Sequence, residues 1–346
     1  MSLTADFSPQ QLLSANYLNT QLSHFTCVWE SKLATWSYRD HNDELSQVVS
    51  VNEKQETIVL VGQALNFQLL VSLFTQEFSA INRAEVRPHS LSNEFPQQVI
   101  SITLTHSQKH ALISKQCLQK VSERYFIDCF LVSSVSLKQA GLLVMDMDST
   151  IINMECIDEI AALVGVGEKV SALTERAMQG ELDFNQSLNA RVACLAGVKT
   201  DELAALKRRL PINPGFAKTM QILQQHGWHT CIASGGFTYF ADYLKDTFEL
   251  SLAVSNTLGL AGDSLNGKVE GPIVNGEMKR EILLNQAQAW GIPLSQTVAI
   301  GDGANDLLMM DAAALGVAYK AKPKVKAAAD ASIIYCGFEG LLFCLK

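Results

Sequence analysis

No run of apolar residues in this chain approaches the ~18–20 that a membrane-crossing helix needs. The opening residues Met1 to Phe7 have neither the basic n-region nor the apolar h-region of a secretory signal. Paired cysteines are missing too. The eight cysteines stand singly at positions 27, 117, 129, 156, 194, 231, 336 and 344, and none forms a C-x-x-C pair. That is the pattern of reduced core thiols in a cytoplasmic protein, not of a disulfide or zinc framework. The seven histidines show no metal-ligand spacing with them. His226 and His229 are three apart, but Gly227 between them marks a surface helix end. Basic charge is in deficit, with 27 Lys and Arg against 35 Asp and Glu and a formal net charge of −8. Nucleic acid is thereby excluded as a main partner, because a phosphate backbone wants a basic face. Internal repeats and low-complexity tracts are absent. What is present is 346 residues that are 48% hydrophobic, a globular chain of two or three domains.

Two aspartate signatures stand out. Asp146-Met147-Asp148-Ser149-Thr150 directly follows the apolar run Leu142-Leu143-Val144-Met145, and Gly301-Asp302-Gly303-Ala304-Asn305-Asp306 directly follows Val298-Ala299-Ile300. Each places carboxylates where a short buried strand ends and a loop begins. In parallel α/β sheets, ligands bind at that edge. Two such ends side by side gather four carboxylates around one point. Oxygen ligands of that charge select a hard cation such as Mg²⁺.

The pattern along the chain divides it. Residues 1–55 are polar and irregular, with a weak amphipathic stretch over Gln10–Leu22, and carry no functional reading. Residues 56–135 follow. Strands are expected over Thr57–Val61, Ile81–Arg87, Val99–Leu104 and Tyr125–Val132, and helices over Leu65–Phe78 and Ser107–Lys120. This βαββαβ order is that of a ferredoxin-like α+β unit. Ser133–Ala140 reads as a linker. Residues 141–346 alternate short apolar strands (Leu142–Met145, Thr230–Ala233, Val298–Ile300, Gly316–Ala318) with helices such as Phe216–His226 and Met278–Trp290. The alternation predicts a Rossmann-like parallel sheet covered on both faces. The stretch 154–211 breaks it with four helix candidates: Cys156–Val164, Glu168–Gln179, Phe184–Leu195 and Asp201–Leu210. Inserted directly after the first Asp signature, they form a lid over the strand ends. Asn256–Val274 reads as a hairpin excursion.

The residue types fit phosphoryl chemistry. A carboxylate at the end of an apolar strand, as Asp146 is, can attack phosphorus. Asp148, two residues on, can protonate a leaving alkoxide and then take a proton from water. Ser149 and Thr150 offer hydroxyls and N–H groups to an anion. The same types also serve as ordinary helix caps. Ser234-Gly235-Gly236, at the end of Cys231–Ala233, lets backbone approach a phosphate closely, though such triplets mark many turns. Lys279, at the start of a helix, suits charge neutralisation, though a solvated lysine has the same signature. In the second Asp signature the glycines permit a sharp turn, Asp302 faces the strand edge and Asp306 opens a helix. A calcium loop of the EF-hand type would need alternating ligands and a terminal Glu that are missing here.

Taken in order, Asp146-x-Asp148-Ser149-Thr150, Ser234-Gly235-Gly236, Lys279 and Gly301-Asp302-Gly303-Ala304-Asn305-Asp306 resemble the four motifs of the haloacid dehalogenase superfamily, and more narrowly its phosphoserine phosphatases, from about Gly141 to Ala329. The resemblance extends to the helical insert, through Asn153-Met154-Glu155-Cys156-Ile157-Asp158-Glu159-Ile160 and Phe184-Asn185-Gln186-Ser187-Leu188-x-x-Arg191. It implies Mg²⁺-dependent hydrolysis of O-phospho-L-serine through an aspartyl-phosphate, the last step of serine biosynthesis. Asp146 is then the nucleophile and Asp148 the acid and base. Asp146, Asp302 and the backbone oxygen of Asp148 hold the metal, and Asp306 supports it from behind. Ser234, Gly235, Lys279 and Asn305 bind the phosphoryl group. Glu155 takes the substrate ammonium and Arg191 its carboxylate, while Met178 and Phe184 close over it. A forked cation facing a carboxylate is sound chemistry for a zwitterionic head.

The N-terminal unit resembles the small ACT-like regulatory modules that accompany amino-acid enzymes, with a homodimer through it as one expectation. Two alternatives share the residues: a phosphotransferase passing the phosphoryl group to another alcohol, and an amino-acid-sensing regulatory protein. A cation-pump ATPase is excluded by the missing membrane spans. It would also carry Thr where Asp148 stands.

Overall fold

Leu142, Leu143, Val144 and Met145 are all fully buried, as a strand covered on both faces must be. They form the middle of a parallel sheet. The computed structural model describes residues 6–7, 26–30, 35–39, 53–79, 81, 83–107 and 113–346. These group into two compact units, one of Met1–Ser134 with Ala331–Lys346, the other of Val135–Asp330. Among the described residues no helix is long and apolar enough to cross a membrane.

In the second unit the strands lie in the order Ser264–Glu270, Leu252–Ala261, His229–Phe237, Leu142–Met145, Thr297–Gly301, Leu315–Tyr319. The Leu142–Met145 strand runs parallel to both neighbours, with Met145 opposite Ile232 on one side and Ile300 on the other. Helix Gly276–Ala289 buries Ile282, Leu283 and Ala287 against Leu142, Val144, Cys231 and Ala299 of the sheet. The alternation expected from sequence is therefore present. The hairpin begins earlier than expected. Its first strand, Leu252–Ala261, pairs in parallel with His229–Phe237 before turning back on Ser264–Glu270. Helix Thr238–Thr247, not anticipated, supplies the crossover between the two parallel strands.

Between Asp148 and the next core helix, Phe216–Gln225, the chain makes four helices: Cys156–Leu163, Gly167–Met178, Phe184–Ala193 and Thr200–Lys207. Phe184–Ala193 starts with a reciprocal capping box. The Gln186 N–H donates to Asp183 Oδ1 at 2.8 Å, and the Asp183 N–H to Gln186 Oε1 at 3.1 Å. The hairpin ties this insert down. Leu265 exchanges backbone bonds with Gly197 and Val198, each 2.8 Å, and Lys199 pairs with Asp263 at 2.9 Å.

The first unit is an antiparallel sheet in the order Asp6–Phe7, Thr35–Arg39, Thr26–Glu30, Arg83–Pro88, Gln98–Ser107, Glu53–Gly62, Asp128–Leu131. Leu70, Leu73, Phe74, Leu118 and Val121, from the two intervening helical segments, share one core with Ile58, Leu60, Ile100 and Ile102 of the sheet. Residues before Glu56 contribute to it. Cys27 pairs with Val86, and Trp29 joins the core. The amphipathic stretch over Gln10–Leu22 lies outside the described residues. The second helix starts later than the pattern suggested, at Lys115, because the Ser114 side chain accepts the Cys117 N–H at 3.1 Å and caps it there. The C-terminal segment belongs to this unit. Buried Asp128 accepts the backbone N–H groups of Ile334 (2.8 Å), Tyr335 (3.0 Å) and Cys336 (2.6 Å). Ser133 N–H donates to Cys344 O at 2.8 Å.

Candidate active site

Because Met145, Ile232 and Ile300 are in register, the residues that follow them emerge at one edge of the sheet: Asp146, Ser234 and Asp302. Asp146 is pinned by its own N–H, which donates to Ile300 O at 3.0 Å. A cavity of about 190 Å³ opens over this edge. Of the residues singled out in the sequence, Asp146, Asp148, Glu155, Phe184, Arg191, Ser234, Gly235, Asp302 and Asn305 line it. Lys279 and Asp306 lie buried beneath. The Met178 side chain lies outside the described residues.

Lys279 is fully buried, an environment that an ammonium tolerates only when paired. Its Nζ stands 2.7 Å from Asp146 Oδ1 and 2.6 Å from Asp306 Oδ1. Burial works against its charge, but the two carboxylates outweigh it and raise its pKa. Asp306 also accepts the Gly303 N–H at 3.0 Å, so both its oxygens are engaged. The glycines of this segment are not needed for a left-handed turn, since Gly303 has φ −104°. They are needed for closeness: a side chain at Gly301 would overlap the Asp306 carboxylate, and one at Gly303 would overlap Asn305.

One lysine does not balance the acids. Oxygens of Asp146, Asp302 and Asp306 lie within 4.8 Å of one another. Burial, then the Asp146 and Asp306 charges, push the Asp302 carboxyl up to about 7 against the pull of Lys279. Burial likewise raises Asp306 to about 6, with Lys279 opposing. A cluster of hard oxygen donors whose protons are this tightly held fits a divalent cation of the Mg²⁺ class.

Asp148 is buried with Oδ1 lacking any hydrogen-bond partner, while Oδ2 accepts the Cys156 N–H at 3.4 Å. Burial, with Glu155 and Asp146 nearby, holds its carboxyl well above the usual range. Gly236 makes room for it. A Cβ at Gly236 would fall 2.6 Å from Met147 Cε and 3.0 Å from Asp148 Oδ2. The Gly236 N–H donates to Ser234 Oγ at 3.0 Å, leaving that hydroxyl's proton available.

The lid contributes the opposite wall. Phe184, Leu188 and Arg191 share one face of their helix at spacings of four and three, and the Phe184 ring reaches to 3.0 Å from where a Cβ on Gly235 would stand. Arg191 Nε donates only a long bond, 3.4 Å, to Ser187 O of its own helix, and no carboxylate lies within ion-pair distance among the described residues. Glu155, at the exposed rim, accepts the Ser149 hydroxyl at 2.8 Å. Partial burial raises its pKa, the Ser149 bond opposing.

Several working residues went unread in the sequence. Leu188 carried a signal, the helical spacing it shares with Phe184 and Arg191. Asn213 and Asn256 carried none. Buried Asn213 donates to Thr150 O at 2.8 Å and holds the loop after Asp146 to the end of the helical insert. Buried Asn256 donates to Gly235 O and accepts from Val274 N–H, each 2.8 Å, fixing the turn at Ser234–Gly236. Ile157, Phe237 and Gly303 complete the cavity wall.

Residues 141–314 match the model of the haloacid dehalogenase-like hydrolases. The phosphoserine phosphatase of Haemophilus influenzae is 52% identical over 213 residues, 62% of this chain and 68% of that one. Among solved structures, the unliganded crystal structure of a probable phosphoserine phosphatase from Vibrio cholerae superposes with TM-score 0.69 at 39% identity, over 84% of this chain and 86% of that one. A phospho-aspartyl intermediate analogue of a phosphoserine phosphatase superposes with TM-score 0.57 at 37% identity, over 60% of this chain and all 100% of that one.

Proposed function

Because this chain belongs to the haloacid dehalogenase-like hydrolases, we propose that it hydrolyses O-phospho-L-serine to L-serine and phosphate through an aspartyl-phosphate at Asp146. One observation carries the substrate. A single small cavity presents a nucleophile edge below and, on the lid, a carboxylate (Glu155) and a guanidinium without an anionic partner (Arg191). An ammonium and a carboxylate on one substrate carbon match that pair, and the phosphoryl group faces Asp146.

Asp146 attacks phosphorus in line. Asp148, whose carboxyl burial holds well above the usual range, gives its proton to the leaving serine oxygen. The resulting carboxylate takes a proton from the water that opens the aspartyl-phosphate. Lys279 offsets the nucleophile's charge, while the Ser234 hydroxyl, the Gly235 N–H and Asn305 contact the remaining phosphoryl oxygens. Asp146, Asp302 and the backbone oxygen of Asp148 would hold Mg²⁺. Asp306, with both oxygens already engaged, supports the site from behind. Bound there, the cation withdraws charge from the phosphoryl oxygens. The lid, with Phe184, excludes bulk water. The antiparallel N-terminal sheet, with its helices packed into one core, is read as an ACT-like module and as the surface of a homodimer.

Phosphate release from phosphoserine, phosphothreonine, phosphoethanolamine and a sugar phosphate, with and without Mg²⁺, tests the reading. Strong Mg²⁺-dependent preference for phosphoserine is expected. Equal rates on phosphoethanolamine, which lacks the carboxylate, would remove Arg191 from its role.

A second expectation concerns the metal without catalysis. In the metal-free protein the Asp302 carboxyl sits at about 7, above its unfolded value. Its contribution to stability is therefore present below about pH 4 and lost as pH rises through 7. Mg²⁺ binds the deprotonated cluster and removes this loss. The rise in Tm on adding Mg²⁺ should thus be larger at about pH 8 than at about pH 5.5. Thermal denaturation at both pH values reads it, and a Mg²⁺ shift that is no larger at the higher pH would rule out the carboxylate cluster as the binding site.

A further inference from the structure

Ser149 has φ +56°, a left-handed conformation uncommon for any residue but glycine. Strain of that kind persists only where its surroundings hold it, and it gathers at functional sites. Here the surroundings are explicit. The Ser149 N–H donates to Met154 O at 3.1 Å, Ile152 bridges both Asp148 and Ile212, and the Asn153 N–H donates to Pro211 O at 2.8 Å. The loop 149–155 is thus closed on itself and fastened to the far end of the lid. Its conformation turns the Ser149 hydroxyl onto Glu155 Oε1, 2.8 Å away.

Glu155 has a competing place to go. It is the N-cap of helix Cys156–Leu163, where a side-chain oxygen ordinarily accepts one of the first helical N–H groups, yet its side chain makes no such bond. The Cys156 N–H is taken by Asp148 Oδ2, but the Ile157 and Asp158 amides and the positive end of the helix dipole lie beside it. The hydroxyl of Ser149 draws the carboxylate away from them and toward the cavity rim.

We propose that Ser149 is a positioning residue that presets Glu155 for the ammonium of an amino-acid substrate, an inference that rests on the functional reading above. Without the hydroxyl, Glu155 folds back onto its own helix terminus, and the substrate must pull it out again on binding. Specificity for an amine-bearing ester then resides partly in a residue that never touches the amine.

The test uses Ser149→Gly, since glycine accepts the positive φ while the hydroxymethyl group, and with it the hydroxyl, is removed. KM and kcat are measured on phosphoserine and on 3-phosphooxypropionate, which keeps the phosphate, the chain and the carboxylate but lacks the ammonium. The same pair is measured in a Glu155→Gln background. KM for phosphoserine should rise about 10-fold with kcat within about 3-fold, the rise for the amine-free ester staying under about 2-fold. In the Glu155→Gln background, Ser149→Gly should add nothing further. An equal rise for both esters, no rise, or a full effect that persists without Glu155 overturns the inference while the functional reading stands. Wild-type protein that releases no phosphate from phosphoserine overturns both.

Discussion

Asp146→Asn will lose phosphoserine hydrolysis by at least about 10³-fold while remaining folded. The amide has the shape of the carboxylate but no anionic oxygen to attack phosphorus. Stability should survive, because Lys279 keeps Asp306 at 2.6 Å as its counter-ion. Two measurements separate the causes. Circular dichroism checks the fold. Acid quenching during turnover of labelled substrate checks for trapped phosphate, which should be present on the wild type and absent from the variant. An Asp146→Asn protein with normal rates would end the covalent route.

Lys279→Met should cost about 3–5 kcal/mol of stability at neutral pH. Methionine fills a similar space, so the loss is not mainly a cavity. The cost arises because Asp146 and Asp306 are left buried with no cation between them. Burial already raises the Asp306 carboxyl against the pull of Lys279, and without that cation it holds its proton more tightly still. The penalty therefore shrinks as pH falls toward the unfolded carboxylate range, and Mg²⁺ should restore part of the stability above it. Urea denaturation at about pH 7.5 and about pH 5 reads both effects. A loss below about 1 kcal/mol at the higher pH would mean that the two carboxylates carry no charge there, contrary to the pairing described.

The parts of the site that were legible in sequence are those where one residue type has one job at a strand end. Asp146 and Asp302 follow short, wholly apolar runs, and the parallel register of those runs brings them together. The parallel sheet and the helical insert were legible for a related reason, since periodicity switches visibly between 142 and 211. What stayed hidden depends on partners far away in the chain. Nothing near Asn213 announces that its amide caps Thr150 O, and nothing near Asn256 announces the carbonyl of Gly235. Ser149 looked like an anion ligand, yet its hydroxyl is spent on Glu155, and only the backbone angle explains why. The strands Thr26–Glu30 and Thr35–Arg39 were missed because five residues give too short an alternation to stand out, and their burial comes from the neighbours on either side. Trp29 is buried in the core shared by the N-terminal sheet and its helices, its ring centroid 6.1 Å from that of Phe74.

The bonds from Asp128 to the N–H groups of residues 334–336 have a consequence for the order in which this protein is made. The chain starts one unit, leaves it for the whole of the other, and returns only at Ala331. A ribosome delivers residues in sequence, and domains fold as units as they emerge. The span of the second unit ends at Asp330, before the N-terminal unit has received its last segment. The part synthesised first is therefore the part finished last. Until then the buried carboxylate of Asp128 waits without its three donors.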